Sequence, residues 1–329
     1  MSTLPPRQEI AAAWNGRELS ETPEVWMVTL TPSHLAELET AADINDSSFD
    51  LPTLGPVLAD LQVELINGRG FVLIRGLEIE KYSEDEIATI FTGLGSHIGH
   101  ARSQNGAGDL LGHVLDVGAD ANDTDVRIYQ TSERQTFHTD SCDVVGLICL
   151  KKSKSGGASM LVSASSIYNA LLERRPDLLE LLFDPIATDR RGEIPNGMKP
   201  YFEIPVFTWH EGHLNIMYQR QYIDSAQRFS GVLRLTPNHI EALDLFDELA
   251  NDPDLTLSMQ LEPGDIQFVH NHSMLHDRMG FEDWPEPDRR RHLLRLWLSV
   301  PGDRPLPECF AERFGSTTIG DRGGIVVPA

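Results

Sequence analysis

A histidine and an aspartate two residues apart on an extended segment can hold one metal ion together. Phe137-His138-Thr139-Asp140 has that spacing. Side chains i and i+2 of a strand leave on the same face, so His138 and Asp140 project together with Phe137 and Thr139 behind them. One imidazole beside one carboxylate is two-thirds of a 2-His-1-carboxylate triad, which leaves open positions on iron(II). Two polar residues on a surface strand give the same pattern, so the pair needs a third ligand from elsewhere. Candidates cluster in His270-Asn271-His272-Ser273-Met274-Leu275-His276. On spacing alone the three histidines are rivals. His276 follows a strand and a short turn and precedes Asp277-Arg278.

A second group lies in Asp288-Arg289-Arg290-Arg291-His292-Leu293-Leu294-Arg295-Leu296-Trp297-Leu298. Read as a strand, Leu294, Leu296, Leu298 and Val300 share one face, and Arg291, Leu293, Arg295, Trp297 and Ser299 share the other. Both faces are largely apolar, which predicts a strand buried on both sides. A charge inside such a strand is costly unless paired. Its partner is either an interior carboxylate of the chain or a bound carboxylate ligand, to which arginine offers a planar fork. Ser155-Gly156-Gly157-Ala158-Ser159 reads as a tight turn that sets the Ser159 hydroxyl at the start of a strand. The glycines at 106, 108 and 112 follow no strong strand and lack the GxGxxG spacing, so they are no dinucleotide loop. Three further residues are candidates for a pocket. Cys142 would face the metal if the strand of Asp140 continues, and is otherwise a small core thiol. Gln104 and Asn105 lie in a polar loop within reach of a substrate, or are solvated there.

These residues need strands to aim them, and the sequence supplies them. Residues 70–77 (GFVLIRGL) and 144–150 are buried apolar runs; 125–130 and 135–140 are short and polar-rich. Residues 160–163 follow the double-glycine turn. Residues 206–209 and 213–218 flank Glu211-Gly212, a hairpin signal. Residues 255–261 alternate cleanly, and 266–271 and 292–300 complete the set. Helices are expected at 57–66, after the capping box Ser83-Glu84-Asp85-Glu86, over 166–183 with a break at Pro176, and after Thr236-Pro237. Thr31-Pro32-Ser33 caps another, and 43–52 is a polar loop. Residues 1–52 read as an N-terminal arm of a single domain spanning 1–329. Many short strands with helices outside predict a mainly β fold with flanking helices (α+β), a sandwich or jelly roll rather than a βαβ series.

The 329 residues carry 27 Lys+Arg against 50 Asp+Glu, a formal charge of −23. That excess of acid argues against nucleic-acid and anionic-membrane partners, and with them against a nuclease reading of the His-Asn-His run. Of the cations, 22 are arginine and 5 lysine, and four of the arginines fall between 289 and 295. No basic-then-apolar signal pattern opens the sequence, and the apolar run 144–150 is too short to cross a bilayer. Three cysteines form neither a disulfide framework nor a CxxC pair. A reduced, cytoplasmic protein is the expectation.

Taken in order, GFVLIRGL, FHTD, SGGAS, QFVHNHSMLH and RRRHLLRLWL resemble the taurine-dioxygenase-like (TauD/TfdA) superfamily of iron(II)- and 2-oxoglutarate-dependent oxygenases. The resemblance runs from about Gly70 to Val300. It implies a double-stranded β-helix, a variety of jelly roll. It implies His138, Asp140 and His276 as iron ligands, with Arg291 and Ser159 on the distal carboxylate of 2-oxoglutarate. Arg295 matches a second arginine that faces the substrate's acid group. The implied reaction uses O2 and 2-oxoglutarate to hydroxylate a C–H bond of a small polar organic acid or amino-acid-like molecule, releasing succinate and CO2. Desaturation or ring closure would use the same cofactors. A non-oxidative cupin-type protein and a zinc hydrolase are the other classes, although no HExxH is present. Two departures stand out. His276 and Arg291 are 15 residues apart, longer than the usual family spacing, which makes Arg289 a rival of Arg291; and Ser159 replaces the usual threonine. A homo-oligomer is compatible with the sequence.

Overall fold

Two sheets face one another in the computed structural model, which describes residues 4–44, 49–119, 127–195 and 197–325. Their strands, in chain order, are β1 (Met27–Thr29), β2 (Phe71–Arg75), β3 (His100–Arg102), β4 (Leu111–Val114), β5 (Gln135–His138), β6 (Val144–Lys151), β7 (Ser159–Ser163), β8 (Thr256–Met259), β9 (Ile266–His270), β10 (Met274–Arg278) and β11 (His292–Ser299). The larger sheet has the order β1-β2-β9-β6-β11-β3, with β4 also paired to β11; the smaller is β8-β7-β10-β5. All these pairings are antiparallel except that of β1 with β2. This is the expected mainly β jelly roll with helices outside.

The face parity of β11 explains the layering. Leu294, Leu296 and Leu298 pack outward into a cluster with Leu58, Leu65, Ile90, Phe91 and Leu94. Those residues come from helices α2 (Leu54–Asn67) and α3 (Glu84–Ile98), and α1 (Pro32–Ile44) adds Leu38 to the same cluster. Leu293 and Trp297 point inward and meet Phe71, Val145, Leu161 and Leu257 between the sheets. A third cluster joins Val162 and Leu275 of the small sheet to α4 (Ala164–Arg174), α5 (Pro176–Leu181) and α6 (Pro237–Ala250). Each leucine so buried contributes roughly 1.5–3 kcal/mol. The order is therefore helix, sheet, sheet, helix.

Local chemistry starts the helices where expected. Ser83 caps α3 reciprocally with Glu86, and Thr236 caps α6 with Pro237 in its first turn. Pro176 separates α4 from α5, because the proline cannot donate the hydrogen bond that a continuous helix requires there. The described N-terminal residues are tied in: β1 adds to the sheet edge, and Trp14 and Trp26 pack on Phe71.

One expected strand is absent. Of 125–130, residues 125 and 126 lie outside the described residues, and Ile128–Gln130 is a single 3-10 turn. Its backbone is satisfied locally, Gln130 N–H donating to Arg127 and Thr131 N–H to Ile128, so no partner strand is needed. The polar loop at 43–52 lies partly outside the described residues as well. Among the described residues no helix is long and apolar enough to cross a membrane.

Candidate active site

His138 ends β5, and its neighbour across the sheet is His276 of β10. That register brings two distant imidazoles to a ring separation of 4.1 Å. Asp140 follows two residues after His138. Its Oδ1 lies 3.8 Å from His138 Nε2 and its Oδ2 3.7 Å from His276 Nε2. These spacings are wide of a hydrogen bond yet close enough for one ion to touch all three groups.

The surroundings prepare each group. His138 Nδ1–H donates to the Thr136 carbonyl at 2.8 Å, while Nε2 accepts from the Gln135 amide at 2.9 Å. Nε2 is therefore the unprotonated nitrogen, the one a metal needs. Trp297 Nε1–H donates to Asp140 Oδ2 at 2.8 Å, and the Asp140 N–H donates to Asn271. Burial alone would raise the Asp140 carboxyl; Arg295, His276, His138 and the Trp297 bond outweigh it and hold it at about 2. Burial, and after it His138, pushes His276 down to about 3, so its imidazole is neutral.

Two chambers meet at this point, and Tyr129, Gln135, His138, Asp140 and Arg295 line both. The first is completed by Ser159, Arg278, Arg291, Leu293 and Val145 among others. Arg291 stands just before β11 and is 7% exposed; its backbone N–H donates to the Asp283 carboxylate at 2.8 Å, while its guanidinium has no carboxylate within 4 Å among the described residues. Burial pushes its guanidinium down to about 10. Arg278 stands beside it. Both guanidiniums stack on Phe281, at 4.8 and 5.2 Å from the ring centre. Arg278 Nη2 donates to the Thr131 carbonyl at 3.0 Å, but its buried Nη1 has no partner. Ser159 is buried and donates to Gln267 at 3.1 Å. The glycines before it have positive φ, and a Cβ on Gly156 would sit 2.4 Å from a carbonyl oxygen, so the turn requires glycine there.

The second chamber is lined by Arg127, Arg190, Arg313, Tyr222, Phe202 and Glu193 among others. Arg295 stands between the two. Its Nε donates to Gln104 Oε1 at 2.7 Å, its Nη1 lies 3.8 Å from Asp140, and it stacks on Tyr129 and Trp297. The interior carboxylate considered as its partner is thus Asp140.

Other expected positions fall elsewhere. Gln104 is buried against Arg295, which it holds, and does not line either chamber. Asn105 closes its own loop, accepting from Ala107 and Asp109 N–H and donating to the Asp109 carboxylate. Cys142 is fully buried in the core between the sheets, where burial pushes its thiol well up. The strand ends at His138, so the i+2 parity that would turn Cys142 toward the metal no longer applies. Arg289 is half exposed and lies on the Trp284 face, 3.6 Å from the ring centre. His270 and His272 are fully buried and bind Asp303 and Asp143 at 3.1 and 2.8 Å, with Arg322 between the two carboxylates.

Arg278, Arg127, Arg190 and Arg313 were not singled out in the sequence. Arg278 was within reach, since it lies two residues after His276 on one strand and shares its face. The other three carry no local signal, because turns and loops from distant parts of the chain bring them together.

The chain is similar to known proteins. The family model "Taurine catabolism dioxygenase TauD, TfdA family" matches residues 31–297. The chain belongs to this family. FR-33289 synthase of Streptomyces rubellomurinus is 32% identical over 311 residues, covering 90% of this chain and 91% of that protein. Taurine hydroxylase-like protein SAT17 of Stachybotrys chartarum is 32% identical over 319 residues, with 88% and 81% covered. Among solved structures, asparagine oxygenase in complex with Fe(II), hydroxyasparagine and succinate shares the fold at a TM-score of 0.65 and 17% identity, covering 83% of this chain and 93% of that one. As a TauD/TfdA enzyme the protein is an iron(II)- and 2-oxoglutarate-dependent dioxygenase. The site fits both partners: two imidazoles and a carboxylate suit iron(II), and the unpaired Arg278 Nη1 and Arg291 suit a dicarboxylate.

Proposed function

We propose that this TauD/TfdA dioxygenase hydroxylates a C–H bond of a small anionic molecule, a polar organic acid or amino-acid-like substrate, with release of succinate and CO2. The observation that carries the proposal is the pair of arginine-lined chambers meeting at His138, Asp140 and His276. In this reading those three residues hold iron(II). Arg291, helped by Ser159 and Arg278, takes the distal carboxylate of 2-oxoglutarate, and Arg295 meets the acid group of the substrate. Bound iron(II) and 2-oxoglutarate supply the activation of O2 and the electrons for the oxidation.

The chain's own residues position and insulate. The low position of the Asp140 carboxyl keeps it ionised as a ligand at neutral pH. The Thr136 carbonyl fixes the His138 tautomer, and Trp297 fixes the carboxylate. The Arg291 guanidinium is buried without a carboxylate of its own, so a bound one would receive a charge-assisted pair away from water. Leu293, Val145 and Leu147 form an apolar wall of the same chamber. The likeness to a protein named for taurine hydroxylation supports hydroxylation as the outcome.

Two measurements test the proposal. Anaerobic addition of iron(II) and 2-oxoglutarate should give a weak visible charge-transfer band. A screen of small acids and amino acids should then reveal a substrate that stimulates succinate release and gains one oxygen atom by mass spectrometry. Arg295→Ala should weaken binding of that substrate while chemistry on a neutral one stays detectable. Absence of both the band and substrate-stimulated succinate would sink the proposal.

A further inference from the structure

Among the described residues the second chamber is lined by Arg127, Arg190, Arg191, Arg295 and Arg313 against Asp140, Asp189 and Glu193, so cations outnumber carboxylates. Glu193 is bound to Arg127, and Asp189 is bound to Arg228 at 3.1 Å and to Ser225 at 2.5 Å. Asp140 belongs to the triad. Arg190 and Arg313 then remain without a carboxylate within 4 Å among the described residues. Arg190 is 4% exposed, and its Nε and Nη2 are held by the carbonyls of Lys199 and Glu312. Arg313 donates through Nε to Ser141 Oγ at 2.7 Å. The two guanidiniums flank Phe202, at 5.4 and 5.7 Å from its ring centre. Burial, and after it the charge of Arg127, lowers Arg313 to about 10, which leaves it protonated at neutral pH.

Burying like charges together costs free energy unless a counter-charge arrives. Arg295 already faces Asp140 and is held by Gln104. Arg191 stacks on the Tyr222 ring at 5.2 Å. The buried charge without a carboxylate is therefore at Arg190 and Arg313, in the same chamber as Arg127 and Tyr222. A carboxylate or sulfonate brings one negative charge. A phosphoryl-type group brings up to two, with three strong acceptor oxygens for several donors at once.

We infer that Arg127, Arg190 and Arg313 form a seat for a doubly charged tetrahedral oxyanion, so that the substrate is a phosphate monoester or a phosphonate. The inference rests on the proposed oxidation of a small anion and narrows its class. It also separates two roles. The phosphorus end lies against Arg190 and Arg313, and the C–H bond to be oxidised lies toward His138 and His276. Arg295, which lines both chambers, meets the same anionic end from its metal side.

Matched probes test it by charge alone. Methyl phosphate against methyl sulfate, and methylphosphonate against methanesulfonate, keep shape and change charge. Each would be titrated calorimetrically at pH 8, without oxygen, into enzyme loaded with iron(II) and saturating 2-oxoglutarate, so that Arg291 is already engaged. Each phosphorus probe should bind at least tenfold more tightly than its sulfur counterpart. Arg313→Met should bring the two within about threefold, and Arg313→Lys, which keeps the charge and loses the fork, should retain the preference with weaker binding. Equal affinities in the wild-type enzyme would overturn the inference, as would a preference that survives in Arg313→Met. The wild-type comparison decides even if a variant does not fold. If the preference holds but no substrate stimulates succinate release, the hydroxylation proposal fails and the anion seat stands. If succinate release is found with a carboxylic acid and the preference is absent, the reverse is true.

Discussion

Arg289 and Arg291 are two residues apart and live in different media. Arg289 pairs loosely with Glu286 at 3.8 Å in solvent, where such a pair contributes little. Arg291 is buried, its guanidinium against Phe281 and the chamber and without an ion pair among the described residues. Arg291→Ala should therefore raise the KM for 2-oxoglutarate by about 30-fold or more, the usual scale for losing a buried charged partner. Arg289→Ala should change it less than about twofold; steady-state succinate formation reads both. Trp297 acts through its hydrogen bond to Asp140. Trp297→Phe keeps most of the packing and should lower iron(II) affinity by about 10- to 100-fold in a direct titration. At this scale strand parity was informative. It put Arg291 and Arg295 toward one chamber, whereas Asp140 reaches His138 from beyond the end of the strand. It misled at Cys142, where the backbone leaves the strand after His138.

Long apolar strands announced themselves because one property, burial on both faces, governs every residue in them. β6 and β11 are of this kind. The short polar strands β3 and β4 did not. They share the outer edge of β11 end to end, and that edge, not their own composition, makes them strands. The ribbon of Ile186–Asp189 with Tyr201–Ile204, which leads into Arg190, was equally silent in the sequence. Close packing between elements shows at Gly146 in β6. A Cβ there would stand 2.7 Å from the Phe268 ring and 3.3 Å from Phe91 of α3. Gly146→Ala should cost about 1–3 kcal/mol through overpacking. That predicts a fall in melting temperature of roughly 5 °C, with iron binding retained in whatever fraction stays folded.

Described residues beyond the family model's last matched position join the core. Arg322 is fully buried and binds Asp143 at 2.7 Å and Asp303 at 3.1 Å. Those carboxylates in turn hold His272 and His270. The arginine thereby ties the C-terminal segment to the turn that follows Asp140. Its role was invisible in the sequence, since its partner Asp143 lies 179 residues away. Arg322→Met would leave two buried carboxylates short of a cation and should cost about 3–5 kcal/mol in chemical denaturation. The same distribution of charge has a kinetic consequence. Cations are gathered in the chambers and the formal charge is −23, so an anion must first approach a molecule that repels it. Salt shortens the reach of that repulsion, from about 30 Å at 0.01 M to about 10 Å at 0.1 M. The second-order rate constant kcat/KM for 2-oxoglutarate should therefore rise over that range of ionic strength, opposite to an enzyme that draws its anions in from afar. A fall would mean that the buried arginines govern the approach as well as the grip.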